Sequence, residues 1–459
     1  MTLLTVFLMS GTAVKVLQLF AALSLLIVLH EGGHFFFARL FDTRVEKFYM
    51  FFDFLFPFSG ILNFPLWKKK IGDTEYGIGW FPLGGYVKIS GMVDESMDTE
   101  QMKQPPQPWE YRSKKPYERL FIMLSGIIVN TLVAIIIYMV VFSAYGEEYL
   151  PMQNAKYGIM VDSVGKAIGL HNGDMIISVD GNPVARFEKI LSAIVLDEGK
   201  TIQVMRDGQP VNIDIKAGTV HSIITGERGS FIVPRFPLVV DEVTKGSAAA
   251  KMGMAHGDSV IAVNNIPIRF FDEFDSIKKT TAGMPISLMV VRGGKEVTLN
   301  GTVPADKILG FAPISMGKFF KMDKIKYSPL QAVTKGFTFT YEQFGNYIRQ
   351  FKLIFTSKEI KTSESLGGLI SFGKIFPSEF DMRQFLMLTA FISIILAFMN
   401  LLPIPGLDGG YVIFLLFEMV TGKAVSEKVM ERATTVGLVL LLTLMVYANG
   451  LDIFRLFKH

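Results

Sequence analysis

Three titratable residues, His30, Glu31 and His34, stand within an otherwise apolar part of the chain. On a helix, two histidines four positions apart lie on one face, with their Cβ atoms about 5–6 Å apart. This spacing suits two imidazole ligands of one Zn²⁺ ion, and the adjacent Glu31 can reach a water held by that ion and act as general base. The pattern therefore predicts a catalytic zinc site.

The element that must position these residues is a predicted membrane-spanning helix at residues 13–41. A helix of this length crosses roughly 30 Å of hydrocarbon. In a soluble protein the H-E-x-x-H pattern is a weak signal, because surface helices produce it by chance. Inside a membrane, titratable side chains are costly and usually mark function, so the setting favours a true site.

The composition limits what the third metal ligand can be. The chain has no cysteine, so the ligand must be a histidine or a carboxylate. Asp408 follows the third apolar stretch, after Pro403 and Pro405, which prevent an ordinary helix there and favour a backbone that lines a cavity. We predict Asp408 as the ligand, with Glu418 and Asp452 as competing carboxylates. The other four histidines lie outside the apolar stretches: His171, His221, His256 and His459.

The overall composition indicates a multi-pass α-helical membrane protein in a lipid bilayer. The 459 residues are 50% hydrophobic and 19% charged, with a net charge of +4. No basic run is interleaved with aromatic residues, so we expect no nucleic-acid partner. Four apolar stretches predict spans at residues 13–41, 120–144, 384–404 and 433–448, the last short enough to need local bilayer thinning.

The distribution of lysine and arginine predicts the orientation of these spans. Basic residues flank the connection between the first two spans and the connection between the last two. By the positive-inside rule both connections lie on the cytoplasmic side. The long middle region then lies on the opposite side of the membrane.

The middle region contains an internal duplication. A pattern that begins at Gly169 recurs at Gly253, and a second pattern at Val204 recurs at Val290. Each copy alternates short strands with Gly and Asp turns, which predicts two compact β-rich modules at residues 151–225 and 226–311. They resemble PDZ domains of bacterial proteases, which bind extended peptides by strand addition. Whether these copies bind peptide or act only as steric modules stays open.

Two further segments carry structural signals. Residues 77–92 mix β-favouring residues with glycines and predict a hairpin or an edge strand. Residues 328–356, within the region 312–360, show apolar positions at helical spacing and predict an amphipathic helix on the membrane surface. Gly32 and Gly33 lower helix stability; they either clear space above the metal or allow close helix packing.

The motif HEGGH at residues 30–34, together with NLLPIPGLDGG from Asn400, resembles the site-2 protease family of intramembrane zinc metalloproteases. The tandem PDZ-like modules resemble the RseP branch of that family, the regulators of the sigma-E stress response. The resemblance covers nearly the whole chain. It implies two spans and a membrane-reentrant β-hairpin or sheet within residues 1–150, and two spans within 361–459. It also implies a zinc site towards the cytoplasmic side of a bacterial inner membrane, and periplasmic PDZ domains.

The resemblance also implies residue roles and substrates. Glu31 matches the catalytic acid/base, and the zinc ligands match His30, His34 and Asp408. The implied substrates are single-span membrane proteins, namely an anti-sigma factor already trimmed by a first protease, and remnant signal peptides. Positions that match substrate contacts are Asn400, Pro403 and Pro405, and, in the membrane-reentrant β-loop that holds substrate as an added strand, Gly77, Gly79, Trp80 and Tyr86.

The sequence departs from the family pattern at two positions, Ile127 and Leu369, where the family often has proline. Both departures affect local backbone geometry and neither removes a catalytic group. A competing interpretation is a membrane-embedded PDZ scaffold or chaperone with a non-proteolytic zinc site. The complete set of His30, Glu31, His34 and Asp408 favours the protease.

Overall fold

The computed structural model describes residues 11–55, 61–82, 84–92, 104–225, 231–356 and 367–457. The chain forms two compact units. The first comprises residues 1–146, 326–351 and 366–459, and the second comprises residues 147–325 and 352–365. The long apolar helices belong to the first unit, and the duplicated region belongs to the second.

The helices of the described chain vary widely in length. They are α1 (Gly11–Leu40), α2 (Pro116–Tyr145), α3 (Ser163–Ile168), α4 (Ile190–Val195), α5 (Thr219–Thr225), α6 (Ala248–Lys251), α7 (Phe271–Thr280), α8 (Pro329–Thr356), α9 (Leu369–Lys374), α10 (Met382–Leu401), α11 (Asp408–Thr421) and α12 (Glu427–Phe457).

The strands are short, as expected for small sheets. They are β1 (Val45–Met50), β2 (Pro65–Ile71), β3 (Thr74–Gly79), β4 (Tyr86–Ile89), β5 (Glu147–Tyr149), β6 (Ile159–Val161), β7 (Met175–Val179), β8 (Asn182–Pro183), β9 (Thr201–Arg206), β10 (Gln209–Asp214), β11 (Ile232–Pro234), β12 (Val240–Val243), β13 (Ser259–Val263), β14 (Ile266–Pro267), β15 (Pro285–Arg292), β16 (Lys295–Thr302), β17 (Phe311–Pro313) and β18 (Asp323–Ile325).

Four helices in the described part of the chain, α1, α2, α10 and α12, are long and apolar enough to cross a membrane. Each overlaps one of the predicted spans. The last candidate span, Lys428–Arg455, has 28 residues and is longer than the predicted range 433–448. Charged residues near both ends of α12 hid its length from the hydropathy pattern.

Local signals in the sequence explain where these helices begin and end. Pro116 is the first residue of α2, and the Glu118 carboxylate accepts a hydrogen bond from the Lys115 N–H at 3.0 Å. The Asp381 carboxylate caps α10 by accepting from the Gln384 N–H at 2.7 Å. Gly422 ends α11 in the left-handed conformation, with φ of 70°.

A four-stranded sheet packs beside α1 in the order β2-β3-β1-β4. The prediction that residues 77–92 form a hairpin was wrong, because β3 and β4 both pair with β1, in parallel and antiparallel directions respectively. The alternative prediction, an edge strand, describes β4. The strand β1 lies between β3 and β4 and carries the buried side chains of Val45 and Tyr49.

The second unit repeats one topology twice, as sheets of order β10-β9-β7-β8 and β14-β13-β15-β16. In the first copy Arg206 binds both carboxylate oxygens of Asp174, and in the second Arg292 binds both oxygens of Asp258. Burial of Asp258 disfavours its charge, but the hydrogen bonds from Arg292 and from a backbone N–H outweigh it, so the pKa of this carboxyl lies below its usual value. Each copy thus closes its sheet with an equivalent ion pair.

Helix α8 lies where the sequence predicted a helix, and part of its apolar surface packs on other helices. Phe339 packs edge-to-face on Tyr138 and Phe142 of α2, at ring distances of 4.8 and 5.1 Å. Phe344 and Tyr347 pack in the same way on Phe398 of α10. Other apolar side chains of α8, Phe337 and Tyr341 among them, are exposed, and the location of α8 on the membrane surface stays a prediction.

Candidate metal centre

Three side chains from two distant parts of the chain converge at one point. His30 and His34 belong to α1, and Asp408 is the first residue of α11. The two Nε2 atoms are 3.3 Å apart. Asp408 Oδ2 lies 3.4 Å from Nε2 of His30 and 3.3 Å from Nε2 of His34. The three ligand atoms therefore form a nearly equilateral triangle.

This triangle fits a zinc ion. A tetrahedral zinc ion with bonds of about 2.0–2.1 Å separates its ligand atoms by about 3.3–3.4 Å. Asp408 Oδ2 is buried and has no hydrogen-bond donor in the described structure. A buried carboxylate oxygen without a donor is costly unless a cation neutralises it. The donor set and the spacing both suit a metal with one coordination position left open.

The outer nitrogens of both imidazoles are held by α2. His34 Nδ1 lies 2.8 Å from the Ile122 carbonyl oxygen, so it donates there and leaves Nε2 unprotonated towards the metal. The Asn130 side-chain amide lies 3.2 Å from His30 Nδ1, and the oxygen of that amide has no hydrogen-bond partner in the described structure. Rotating the amide by 180° would let its oxygen accept from His30 Nδ1 and fix the same tautomer.

Small residues bring α1 and α2 together at the site. A Cβ on Gly126 would lie 2.4 Å from His30 Cε1 and 2.6 Å from His34 Nε2, so only glycine fits behind the imidazole pair. A Cβ on Gly33 would lie 2.8 Å from the Ser125 carbonyl oxygen. Gly32 has no neighbouring atom within 4 Å of that position. Of the two explanations left open for this pair, Gly33 therefore serves close helix packing and Gly32 leaves open space.

The chain between α10 and α11 aims Asp408 at the histidines. Helix α10 ends at Leu401 and α11 begins at Asp408, with Pro403 and Pro405 between them as predicted. The turn is tight, since a Cβ on Gly409 would lie 2.2 Å from the Leu402 carbonyl oxygen. The turn places the Asp408 carboxylate on the first residue of α11.

A cavity of about 280 Å³ opens beside the triad. Glu31 lines this cavity, and the Glu31 Cγ atom lies 3.5 Å from where a Cβ on Gly85 would stand. Residues of β4 form one wall, and α12 contributes Thr434, whose buried hydroxyl oxygen has no hydrogen-bond partner in the described structure. The cavity thus combines a candidate base, a candidate metal site and unused polar groups.

The predicted substrate contacts divide into two groups. Asn400 and Tyr86 line the cavity. The remaining five predicted contacts are not among the residues that line it: Pro403, Pro405, Gly77, Gly79 and Trp80.

The residues outside the cavity pack elsewhere in the first unit. A Cβ on Gly79 would lie 2.1 Å from the Phe52 carbonyl oxygen, and the Trp80 indole donates to the Leu62 carbonyl at 2.9 Å. The Pro405 carbonyl oxygen meets Gly437 of α12 so closely that no Cβ fits there.

The competing carboxylates are engaged elsewhere. Glu418 accepts a 2.5 Å hydrogen bond from Arg119. Asp452 accepts from the backbone N–H groups of Gly368 and Ser371, at 3.0 and 2.8 Å, and so caps α9. Leu369, one of the two positions where the sequence departs from the family pattern, lies between these donors, and its own N–H donates to Asn449 Oδ1 at 3.1 Å.

Two features of the site were missed by sequence reasoning. Asn130 was noted only as part of a motif, although it holds His30. Thr434 carries no sequence signal, because a single threonine in an apolar helix is ordinary. Only the packing of α12 against the 402–407 turn, through Gly437, brings this hydroxyl to the cavity.

Comparison with known proteins decides the family. The sequence model of peptidase family M50 matches residues 18–444 of the chain. The chain belongs to peptidase family M50. It is therefore a zinc metalloprotease with a multi-pass membrane domain, and His30, His34 and Asp408 are the described residues that fit its metal.

Named relatives of this M50 peptidase cover it almost from end to end. It is 29% identical over 454 residues to a Neisseria meningitidis protein named as a presumed zinc metalloprotease, covering 95% of this chain and 98% of the relative. It is 28% identical over 458 residues to the regulator of sigma-E protease RseP of Escherichia coli, covering 95% and 97%. Protease RseP of Yersinia pestis is 29% identical over 462 residues, covering 95% and 97%.

Proposed function

We propose that this M50 peptidase hydrolyses peptide bonds within the transmembrane segments of single-span membrane proteins. The observation that carries the proposal is the position of the ligand triangle. It lies among helices long enough to span a membrane, beside a cavity lined by Glu31. A substrate segment would therefore be cut at membrane depth.

The residues divide the chemistry between them. His30, His34 and Asp408 hold the zinc ion, which when bound polarises the scissile carbonyl and makes water more acidic. Glu31 takes a proton from the attacking water and delivers it to the leaving amine nitrogen. The Ile122 carbonyl and Asn130 keep both imidazoles in the ligating tautomer.

The substrate must be extended before it is cut, because a helix hides its carbonyls in hydrogen bonds. Each backbone group freed in lipid would cost a few kcal/mol if left unpaired. Strand β4 pairs with β1 on one edge, and no other strand of the described structure pairs with its second edge. We infer that a substrate strand adds to β4, and that the Asn400 amide binds the same extended backbone.

The relatives' names support a more specific proposal for the natural substrates. Because several relatives are named for regulation of sigma E, an anti-sigma factor trimmed by a first protease is the leading substrate, with remnant signal peptides as a second class. We place the chain in a bacterial inner membrane, with the site towards the cytoplasm. The two modules of the second unit are PDZ domains on the periplasmic side that exclude untrimmed substrates.

The decisive test compares wild type with Glu31→Gln, purified in detergent, for zinc content and for cleavage of a single-span model substrate. We expect about one zinc per chain in both proteins, because Glu31 is not a ligand. Cleavage is expected in wild type only, with a loss of at least about 10²-fold in the variant.

Other outcomes would contradict the proposal in distinct ways. Zinc in both proteins without cleavage of any of several trimmed substrates would favour a PDZ scaffold or chaperone. Full cleavage by Glu31→Gln would remove Glu31 from its role. No zinc in either protein would exclude the metal site.

A further inference from the structure

Strand β2 is exposed over almost its whole length. It reads Pro-Leu-Trp-Lys-Lys-Lys-Ile, and every residue after Pro65 is exposed although successive side chains point to opposite faces. It is also an edge strand, paired only with β3 within the described structure. A strand that displays Leu66, Trp67 and Ile71 on its surface is unusual in water, where such edges promote aggregation.

The depth of this sheet along α1 can be read from its contacts. At one end Val45 of β1 shares an apolar cluster with Ala38, near the C-terminal end of α1. Further along β1, Phe48 packs on Phe35 at a ring distance of 5.5 Å. At the far end, Gly85 lies against Glu31. The sheet therefore runs back alongside α1, from the helix end to the level of the metal centre.

The strand register shows at which depth along α1 each residue of β2 lies. Lys70 pairs with Glu75 of β3, which pairs with Lys47 of β1, so Lys70 lies near the end of α1. Trp67 pairs with Ile78, which pairs with Met50, so Trp67 lies at the level of the metal centre. The charged end of β2, at Lys70, therefore lies towards the membrane surface.

In the opposite direction, towards the metal centre, the exposed side chains become apolar. From Lys70 towards the metal-centre level the strand changes from lysine to Trp67 and Leu66. The preceding segment adds exposed residues at its described positions, with these fractions: Ile61 48%, Leu62 57% and Phe64 47%. This order matches the cross-section of one leaflet, in which aromatic and apolar side chains lie below the headgroups.

The lysines are only partly neutralised by the protein. Lys68 lies 3.3 Å from Glu75. For Lys69 and Lys70, no carboxylate within ion-pair distance is found in the described part of the chain. Two adjacent uncompensated cations at headgroup level attract phosphate, and they attract anionic lipids more than zwitterionic ones.

We propose that β2 is a lipid-binding strand, in which Lys69 and Lys70 bind the headgroups of anionic phospholipids while Trp67 and Leu66 contact their acyl chains. The strand would anchor the sheet in one leaflet and so hold β4 at the depth of the metal centre. The inference concerns lipid contact and does not depend on the proposed substrates.

The experiment uses Trp67 as reporter in the full-length protein. The chain has three tryptophans, so Trp80→Phe and Trp109→Phe leave Trp67 alone. The protein is reconstituted in phosphatidylcholine bilayers that contain an equal fraction of brominated phosphatidylglycerol or brominated phosphatidylcholine, and quenching of Trp67 fluorescence is measured. We expect stronger quenching by the phosphatidylglycerol. In Lys69→Gln/Lys70→Gln, the local preference should fall about fivefold for each lysine lost.

Matched variants separate charge from folding. Lys69→Arg/Lys70→Arg should retain the preference. Lys423→Gln/Lys428→Gln, which removes one cation after α11 and one in the first turn of α12, should leave it unchanged. Zinc content reports folding of each variant. Equal quenching by both brominated lipids would overturn the anionic preference, and no quenching by either would overturn lipid contact altogether.

Discussion

The metal centre depends on residues that are not ligands. His34 and His30 present their Nε2 atoms correctly because Ile122 and Asn130 occupy the opposite nitrogens. Both partners lie on α2, so the distance between α1 and α2 sets the geometry of the ligands. Gly126 permits this distance, since any larger residue there would displace an imidazole.

Gly126→Ala is therefore expected to reduce bound zinc and cleavage together. The added methyl group would stand 2.4 Å from His30 Cε1, and one of the two rings would have to move. Disturbing the groups that hold metal ligands in place typically lowers metal affinity about 10–100-fold. Zinc titration of the purified protein measures this affinity. The matched control is Gly32→Ala on α1, where the new methyl group meets no atom within 4 Å. Equal zinc affinity in both variants would contradict this account.

Thr434 is a candidate substrate-binding residue in the cavity. Its hydroxyl is buried and unpartnered in the described structure, which is unfavourable unless a substrate group binds there. We expect Thr434→Val to leave thermal stability equal or slightly higher, because it removes an unsatisfied group, and to lower cleavage several-fold.

The control for this prediction is Thr443→Val on the same helix, where the exposed hydroxyl bonds to the Val439 carbonyl. It should change neither stability nor cleavage appreciably. A Thr434→Val variant that cleaves as fast as wild type would remove the hydroxyl from substrate binding.

At the scale of elements, an ion pair connects α2, which holds the imidazoles, to α11, which carries Asp408. Arg119 near the start of α2 donates to Glu418 near the end of α11, at 2.5 Å, and both side chains are largely buried. Helix α11 carries Asp408 at its other end. The pair therefore fixes the helix that presents the third ligand.

Glu418→Gln is expected to destabilise the protein by about 3–5 kcal/mol, because it leaves the buried Arg119 charge uncompensated. Zinc affinity should fall in parallel, since α11 loses its anchor. Thermal unfolding and zinc titration of Arg119→Gln, Glu418→Gln and the double variant form a cycle that isolates the pair. Strictly additive effects would show that the two residues do not act together.

At the scale of the whole molecule, the second unit contains a long insertion whose first and last strands pair with each other. Strand β5 pairs with β18 in the register Tyr149 to Asp323 and Glu147 to Ile325. The intervening chain therefore leaves and returns at the same place. The modules can be removed there without pulling the chain of the first unit apart.

We expect replacement of residues 150–322 by Asn-Gly, which forms a two-residue turn between paired strands, to leave zinc binding intact. If the modules act as a size filter, the shortened protein will cleave untrimmed and trimmed substrates alike, whereas wild type will cleave only the trimmed form. Cleavage assays on both substrates measure this. Loss of all cleavage with zinc retained would instead show that the modules grip the substrate.

The sequence by itself determined the features that depend on neighbouring residues. Histidine spacing on a helix, the presence of four apolar stretches and the turn-forming prolines before Asp408 are local properties, and the structure contains the corresponding elements. The duplication was also visible, because repeated turns keep their spacing along the chain.

Only the tertiary structure decided which separate segments meet. The insertion of β1 between β3 and β4, the contact of Gly126 with the imidazole pair, and the arrival of Thr434 at the cavity all join residues far apart in sequence. Such contacts depend on how whole elements pack, and the apolar pattern of a strand or helix shows which face is buried without showing which partner covers it.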